Sequence, residues 1–205
     1  RAIYANIRKF IRYLLSCNTG EVLTMFLAAL LRLPLPLLPI QILWVNLVTD
    51  GLPAIALGVD PASRDIMQQP PRSSRESVFA RGLSRKIITR GVLISFATLG
   101  VFAYTLTAGN LIEARTMAFA TLVMAQLFHV FDCRSEHQYI WQVGLLSNPY
   151  LVVAVTVSEL LLLAAVYIPF LQNIFATVPL RGADWLLIVL AATGVSGVSW
   201  VTDTV

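Results

Sequence analysis

Two short stretches of this sequence place acidic and amide side chains inside otherwise apolar runs. Asn18 and Glu21 are three residues apart, while Asn46, Thr49 and Asp50 follow one another at spacings of three and one. Residues three or four apart share one face of an α-helix. A charged side chain at the centre of a bilayer costs about 2.5 to 3.5 kcal/mol on insertion scales, so it marks a functional site by default. We therefore expect the two polar faces to meet and to bind a cation.

The candidate ligands are all oxygens: two carboxylates, two amide carbonyls, the Thr49 hydroxyl and the Thr49 main-chain carbonyl. Pro53 has no N–H to donate to that carbonyl, and Gly51 lowers the cost of unwinding, so we predict a helix unwound near Thr49–Pro53. Ca²⁺ takes about six to eight oxygen ligands. Mn²⁺ is compatible with the same set, and oxygen chemistry alone does not separate the two ions. The alternative, a structural pair satisfied by helix ends or water, is disfavoured because intramembrane acids are rarely only structural.

The composition indicates a membrane protein, because 57% of the 205 residues are hydrophobic and only 13% are charged. A helix needs about 20 apolar residues to cross the hydrocarbon core of a bilayer. The sequence predicts an all-α polytopic bundle that occupies residues 1–205, with the lipid bilayer around it. Its six predicted transmembrane helices are residues 10–31, 37–57, 87–106, 116–131, 150–169 and 185–201.

The basic residues predict an orientation, because cytoplasmic loops collect Lys and Arg. Twelve of the fifteen precede the first span, lie between the second and third, or follow the fourth; the opposite side receives Arg32, Arg115 and Arg181. Both ends of the chain are therefore predicted to be cytoplasmic. The loop at about residues 58–86, which begins with an Asp60-Pro61 turn, is either a solvated connector or a docking surface. Nucleic acid is not an expected partner, because basic residues at helix ends contact lipid headgroups.

Two other polar features have less specific interpretations. His129, Asp132, Cys133 and His137 fit no standard zinc spacing, so we interpret them as a solvated interfacial turn. Glu159 has no partner motif, and we favour an interhelical hydrogen-bonded or protonated role over a second acid on an ion path.

Residues 6–21 (NIRKFIRYLLSCNTGE) and 43–58 (LWVNLVTDGLPAIALG) carry a resemblance to a known family. They are similar to the P-type cation-transporting ATPases, specifically the calcium pumps of the endoplasmic-reticulum, secretory-pathway and bacterial type. The resemblance implies that the six spans are the fifth to tenth helices of a ten-helix pump. The positions where such pumps hold Ca²⁺ would be occupied by Asn18, Glu21, Asn46, Thr49 and Asp50.

The resemblance also implies ATP-driven export of Ca²⁺ from the cytoplasm, across a bacterial plasma membrane or an internal eukaryotic membrane. The phosphorylated aspartate motif, the nucleotide domain and the actuator domain of such pumps do not occur in this sequence. These residues alone are thus not expected to hydrolyse ATP. The expected partners are the missing N-terminal helices and cytoplasmic domains of the same pump, through which ATP and Mg²⁺ would act.

One difference from the family pattern bears on stoichiometry. Calcium pumps of this family that have two ion sites carry a Glu in the eighth helix. The resemblance implies that Gln126 occupies that position in this sequence. We therefore favour one Ca²⁺ per cycle, with proton countertransport as a hypothesis. Two alternatives stay open: a free-standing cation carrier or channel that uses the same oxygens, and a non-catalytic membrane remnant or subunit.

Overall fold

The structure is a computed structural model that describes residues 1–62, 78–80, 82–134, 144 and 147–204, and every regular element in these ranges is helical. The helices are α1 (Ala2–Leu30), α2 (Pro39–Trp44), a π-helical turn (Val45–Thr49), α3 (Gly51–Gly58), α4 (Leu83–Leu106), α5 (Leu111–Asp132), α6 (Pro149–Tyr167), α7 (Pro169–Phe175) and α8 (Gly182–Thr204). Most of the predicted loop at residues 58–86 lies outside the described residues.

Five helical segments of the described residues are long and apolar enough to cross a membrane: α1, the continuous segment Pro39–Gly58, α4, α5 and α6. A sixth, shorter apolar helix covers Gly182–Val198. Each predicted span overlaps one of these segments. The sequence placed the start of the fourth span too late, because Glu113 and Arg115 interrupt the apolar run. In the structure α5 begins at Leu111, where the Asn110 side chain accepts hydrogen bonds from the main-chain N–H groups of Ile112 and Glu113, at 3.2 Å each.

The core is built around α5, in which 15 of 22 residues are buried. Phe102 of α4, Phe119 of α5 and Leu162 of α6 are fully buried in one apolar cluster with α8. The outer surface is apolar as well: Phe26 is 60% exposed and Leu47 is 71% exposed. A bundle with an apolar interior and large apolar side chains on its outer face is suited to lipid rather than water.

Helices α1 and α4 approach each other closely at two glycines. A Cβ atom at Gly91 would lie 2.6 Å from Cγ2 of Thr19, and one at Gly20 would lie 2.9 Å from Cγ2 of Ile94. Any side chain at Gly91 would therefore force the helices apart. This contact holds the next residue of α1, Glu21, at a fixed position in the bundle.

The second span is interrupted at the predicted place, but it is not unwound. The interruption is the π-helical turn Val45–Thr49, in which the N–H of Asp50 donates to the carbonyl of Val45 at 2.8 Å. Gly51 and Pro53 belong to the regular helix α3. A π-helical turn keeps the backbone hydrogen-bonded, which an unwound segment at membrane depth would not, and such turns are frequent at functional sites.

Candidate cation site

The site lies between α1 and the segment from the π-helical turn to α3, which pair as antiparallel neighbours. Three polar contacts occur along the pair: Asn6 and Lys9 with Asp60, Tyr13 with Asp50, and Glu21 with Asn46. As the residue number rises along α1 it falls along the partner segment. The candidate site comprises the second and third contacts.

Glu21 accepts a hydrogen bond on each carboxylate oxygen. The side-chain amide of Asn46 donates to Oε2 at 2.7 Å, and that of Gln126, in α5, donates to Oε1 at 2.8 Å. Glu21 is 4% exposed and Gln126 is fully buried. The other atom of the Gln126 amide, Oε1, has no hydrogen-bond partner although it is buried.

Asp50 is fully buried at the end of the π-helical turn. Its Oδ1 accepts a hydrogen bond from the Tyr13 hydroxyl at 3.2 Å, while its Oδ2 is buried without a partner. The carboxylates of Asp50 and Glu21 interact electrostatically. Leaving a buried polar atom unpaired costs about 1 to 3 kcal/mol, and more for a charged group. The unpartnered oxygens, Oδ2 of Asp50 and Oε1 of Gln126, accompany two acidic side chains. A cation bound there would satisfy both oxygens and balance the negative charge.

The Thr49 carbonyl has the environment that Pro53 predicts. It receives no helical hydrogen bond from position 53, and it accepts a hydrogen bond from the Tyr13 hydroxyl at 3.4 Å. The Thr49 side chain is fully buried, and its hydroxyl donates to the Val45 carbonyl at 2.9 Å. A hydroxyl that donates in this way keeps its oxygen lone pairs available to a cation.

The structure brings four of the five predicted ligand residues together and leaves Asn18 apart from them. Asn18 is exposed on α1 and makes no side-chain hydrogen bond within the described part of the chain. Asn46 is exposed too, although its amide contacts Glu21. Among the described residues no cluster of three or more His, Cys, Asp or Glu side chains could hold a metal ion, so neutral oxygens must supply much of any coordination shell here.

Sequence reasoning missed Tyr13, which contacts both Asp50 and the Thr49 carbonyl. A signal was present: Tyr13 and Glu21 are eight residues apart, about two turns of one helix face. The pattern of acidic and amide side chains on α1 covers only Asn18 and Glu21, and a tyrosine in an apolar span is more often an interface anchor or a packing residue.

The interpretation of residues 129–137 as a solvated turn is wrong for the part that the structure describes. His129 is fully buried, and its Nε2 lies 3.3 Å from Sγ of Cys133, which is 1% exposed. Asp132 forms an ion pair with Arg90. His137 lies outside the described residues. Helix α5 ends at Asp132, one residue beyond the predicted end of the fourth span, and Cys133 packs in a buried cluster with Tyr13 of α1 and Leu57 of α3.

Glu159 lies exposed in α6 and makes no hydrogen bond within the described part of the chain. The interhelical hydrogen bond considered from the sequence is therefore not formed there. Val153 and Leu160, which share its helix, are also exposed.

Comparison with known proteins shows which protein family this chain belongs to. Residues 34–203 match the family model described as the C-terminus of cation transporting ATPases. This chain belongs to that family, and it is an integral membrane protein.

Three relatives are calcium-transporting ATPases by name. That of Bacillus subtilis (strain 168) is 56% identical over 191 residues, or 92% of this chain and 21% of the relative. Calcium-transporting ATPase 1 of Bacillus cereus is 42% identical over 207 residues, or 93% of this chain and 23% of the relative. Calcium-transporting ATPase type 2C member 2 of Homo sapiens is 36% identical over 197 residues, or 95% and 21%. The chain thus spans about a fifth of the length of these relatives.

Proposed function

We propose that this chain is the ion-binding transmembrane part of an ATP-driven Ca²⁺ pump, in which its helices are the fifth to tenth of ten. The observation that carries the proposal is the pair of buried, unpartnered oxygens, Oδ2 of Asp50 and Oε1 of Gln126, beside two interacting carboxylates. Family membership supports ATP as the energy source. The names of the relatives support Ca²⁺ as the transported substrate, and Mn²⁺ is the second ion that the oxygen donors suit.

Five residues are proposed as Ca²⁺ ligands: Asn18, Glu21, Asn46, Thr49 and Asp50. Asn18 and Asn46 are exposed in this chain, and the rest of the pump would cover them. Both termini of this chain would be cytoplasmic, as the basic residues indicate. The membrane would be a bacterial plasma membrane or an internal eukaryotic membrane, and Ca²⁺ would leave the cytoplasm.

The charge of the site favours one Ca²⁺ per cycle. Glu21 and Asp50 together balance one divalent cation, and the third side chain within the group, Gln126, is neutral and fully buried. A second Ca²⁺ would need further negative charge, because an unbalanced charge in a buried site is costly. Counting the Ca²⁺ occluded per phosphorylated pump tests this directly: we expect one, and two would contradict it.

Proton countertransport follows from the same physics. Once Ca²⁺ has left, two interacting carboxylates would remain buried, and binding protons would remove a charge that is costly to bury. We expect the lumen of sealed vesicles to become more alkaline during Ca²⁺ uptake when its pH is not clamped. An unchanged lumenal pH would contradict countertransport.

The function is tested by ATP-driven ⁴⁵Ca²⁺ uptake into vesicles that contain the full-length protein and its Glu21→Gln variant. The variant keeps the shape of the side chain but removes one of two charges, so we expect uptake at micromolar Ca²⁺ to be lost. Glu113→Gln is the matched control, since Glu113 lies in the first turn of α5 and contacts Asn110 outside the site. Uptake that needs no ATP would indicate a carrier or channel, and unchanged uptake in Glu21→Gln would refute the site.

A further inference from the structure

A second buried acid, Asp60, lies two residues beyond the end of α3 and takes no part in the candidate cation site. The sequence predicts that it lies in a loop that is either a solvated connector or a docking surface, yet Asp60 is 4% exposed. Its Oδ2 accepts a hydrogen bond from Nζ of Lys9 at 2.7 Å. Its Oδ1 accepts from Nε of Arg134 at 3.2 Å and from the Asn148 amide at 2.8 Å. Three donors, two of them cations, satisfy both oxygens of this carboxylate and balance its charge within the protein.

The donors come from three different helices or their ends. Lys9 belongs to α1, Arg134 follows α5, and Asn148 is the N-cap of α6. Asn6, one turn earlier on α1, donates to the main-chain carbonyls of Asp60 at 2.8 Å and Gly58 at 3.2 Å. Asp60 and these four partners, here named the Asp60 junction, therefore join α1, α3, α5 and α6 at one end of the bundle.

The junction is itself held rigidly. Arg134 also donates from Nη1 to the Gly144 carbonyl at 2.8 Å and from Nη2 to the Ser147 hydroxyl at 2.6 Å. Asn148 donates to the Ala56 carbonyl at 3.1 Å and accepts from the N–H of Leu151 at 3.1 Å. Charge-assisted hydrogen bonds in a buried setting are stronger and more directional than neutral ones.

The junction and the cation site lie along the same helix pair. On α1 the order is Lys9, Tyr13 and Glu21; on the partner segment their contacts are Asp60, Asp50 and Asn46. A shift of α1 along α3 would therefore break all three contacts together and would change the separation of Glu21 and Asp50. Of the three, only the junction contains an ion pair, so it opposes such a shift most strongly.

We propose that Asp60 is a positioning residue for ion binding: through Lys9 it sets the register of α1 against α3, and so the separation of Glu21 from Asp50. The Ca²⁺ readout below rests on the function proposed above, while the distance readout does not.

The experiment uses two variants of the full-length pump. Asp60→Asn removes the negative charge of the junction, while the milder Lys9→Gln removes only the ion pair between Asp60 and α1. Asp132→Asn is the control, because Asp132 forms the ion pair with Arg90 that joins α5 to α4 rather than α1 to α3. We expect the Ca²⁺ concentration for half-maximal uptake to rise roughly five- to tenfold in both test variants, with the maximal rate kept. The control should retain the half-maximal concentration. A fall in maximal rate alone, or an equal affinity loss in the control, would overturn the proposal.

Distances between spin labels on Val22 and Leu47, which are exposed next to Glu21 and Asn46, supply the readout that does not depend on transport. We expect one narrow distribution in the wild-type pump and in the control, and a shifted or broadened distribution in Asp60→Asn and Lys9→Gln. Unchanged distributions in the test variants would refute the positioning role. If the wild-type pump takes up no Ca²⁺ while the distances respond, the proposed ion is wrong and the positioning role stands.

Discussion

Asp50 and Asp60 stand at opposite ends of α3, and both are buried, but their oxygens are satisfied to different extents. Asp60 accepts from two cations and an amide. Asp50 accepts one hydrogen bond from a phenol and keeps Oδ2 without a partner. A buried unsatisfied acceptor in a native structure calls for an explanation, and a ligand is one. The comparison shows that burial of an acid does not by itself identify an ion site; the two acids differ in whether the protein's own donors satisfy both carboxylate oxygens.

The largest expected effect comes from removing the charge of Asp50. Asp50→Asn keeps the side-chain shape, but it takes away half of the negative charge that would balance Ca²⁺. Loss of a buried charged partner costs about 3 to 5 kcal/mol, so the Ca²⁺ concentration for half-maximal phosphorylation of the full-length pump should rise at least ~100-fold. Asp184→Asn is the control, since that carboxylate accepts from the N–H of Arg181 at an exposed position. Normal Ca²⁺ binding by Asp50→Asn would show that Asp50 has only a structural role.

At Asp60 the large effect should be on stability instead. Arg134→Met leaves the carboxylate with only Lys9 and Asn148 and removes two further hydrogen bonds, so we expect a loss of about 3 kcal/mol that is independent of Ca²⁺. Thermal unfolding of the purified full-length protein, with and without Ca²⁺, measures it. Arg115→Met removes an exposed hydrogen bond to the Leu35 carbonyl and should cost less than about 1 kcal/mol. Equal losses in the two variants would contradict the distinction.

The sequence predicted the helices and most residues of the candidate site because both follow from local patterns. Apolar runs indicate spans, and the spacing of Asn46, Thr49 and Asp50 indicates one polar face. Pro53 indicates where the second span is interrupted, but whether the backbone unwinds or forms a π-helical turn depends on how it packs against α1. Asp60 could not be recognised, because an Asp-Pro pair after an apolar run is typical of a turn. Its burial depends on donors from residues 9, 134 and 148, which only the fold brings together.

A smaller effect is expected at Gln126, the neutral contributor to the site. Gln126→Met keeps a similar volume but removes both the donor to Glu21 and the unpartnered Oε1. If Oε1 serves the ion, the half-maximal Ca²⁺ concentration should rise about tenfold, which corresponds to the loss of one good polar contact. Gln172→Met, which removes a hydrogen bond to the Val166 carbonyl away from the site, should leave that concentration unchanged. An unaltered affinity in Gln126→Met would mean that the unpartnered oxygen has no part in ion binding.

The smallest expected effect distinguishes Asp50 from Asp60 most clearly, because it tests whether bound Ca²⁺ restores the stability that a variant has lost. Tyr13→Phe removes the hydroxyl that donates to Oδ1 of Asp50, so the ion-free pump should lose about 1 kcal/mol of stability. Bound Ca²⁺ would supply the positive charge that the hydroxyl partly replaced, so this loss should disappear at saturating Ca²⁺. Thermal midpoints measured across a Ca²⁺ titration report it.

Tyr167→Phe is the matched control for that titration, because its hydroxyl donates to the Leu180 carbonyl at 2.8 Å, away from both acids. Its loss of stability should be the same at every Ca²⁺ concentration, as should that of Arg134→Met. A loss in Tyr13→Phe that saturating Ca²⁺ does not recover would place Asp50 in the same structural class as Asp60. Recovery would show that the two buried acids differ in what completes them: a cation from solution for Asp50, and the protein's own Lys9 and Arg134 for Asp60.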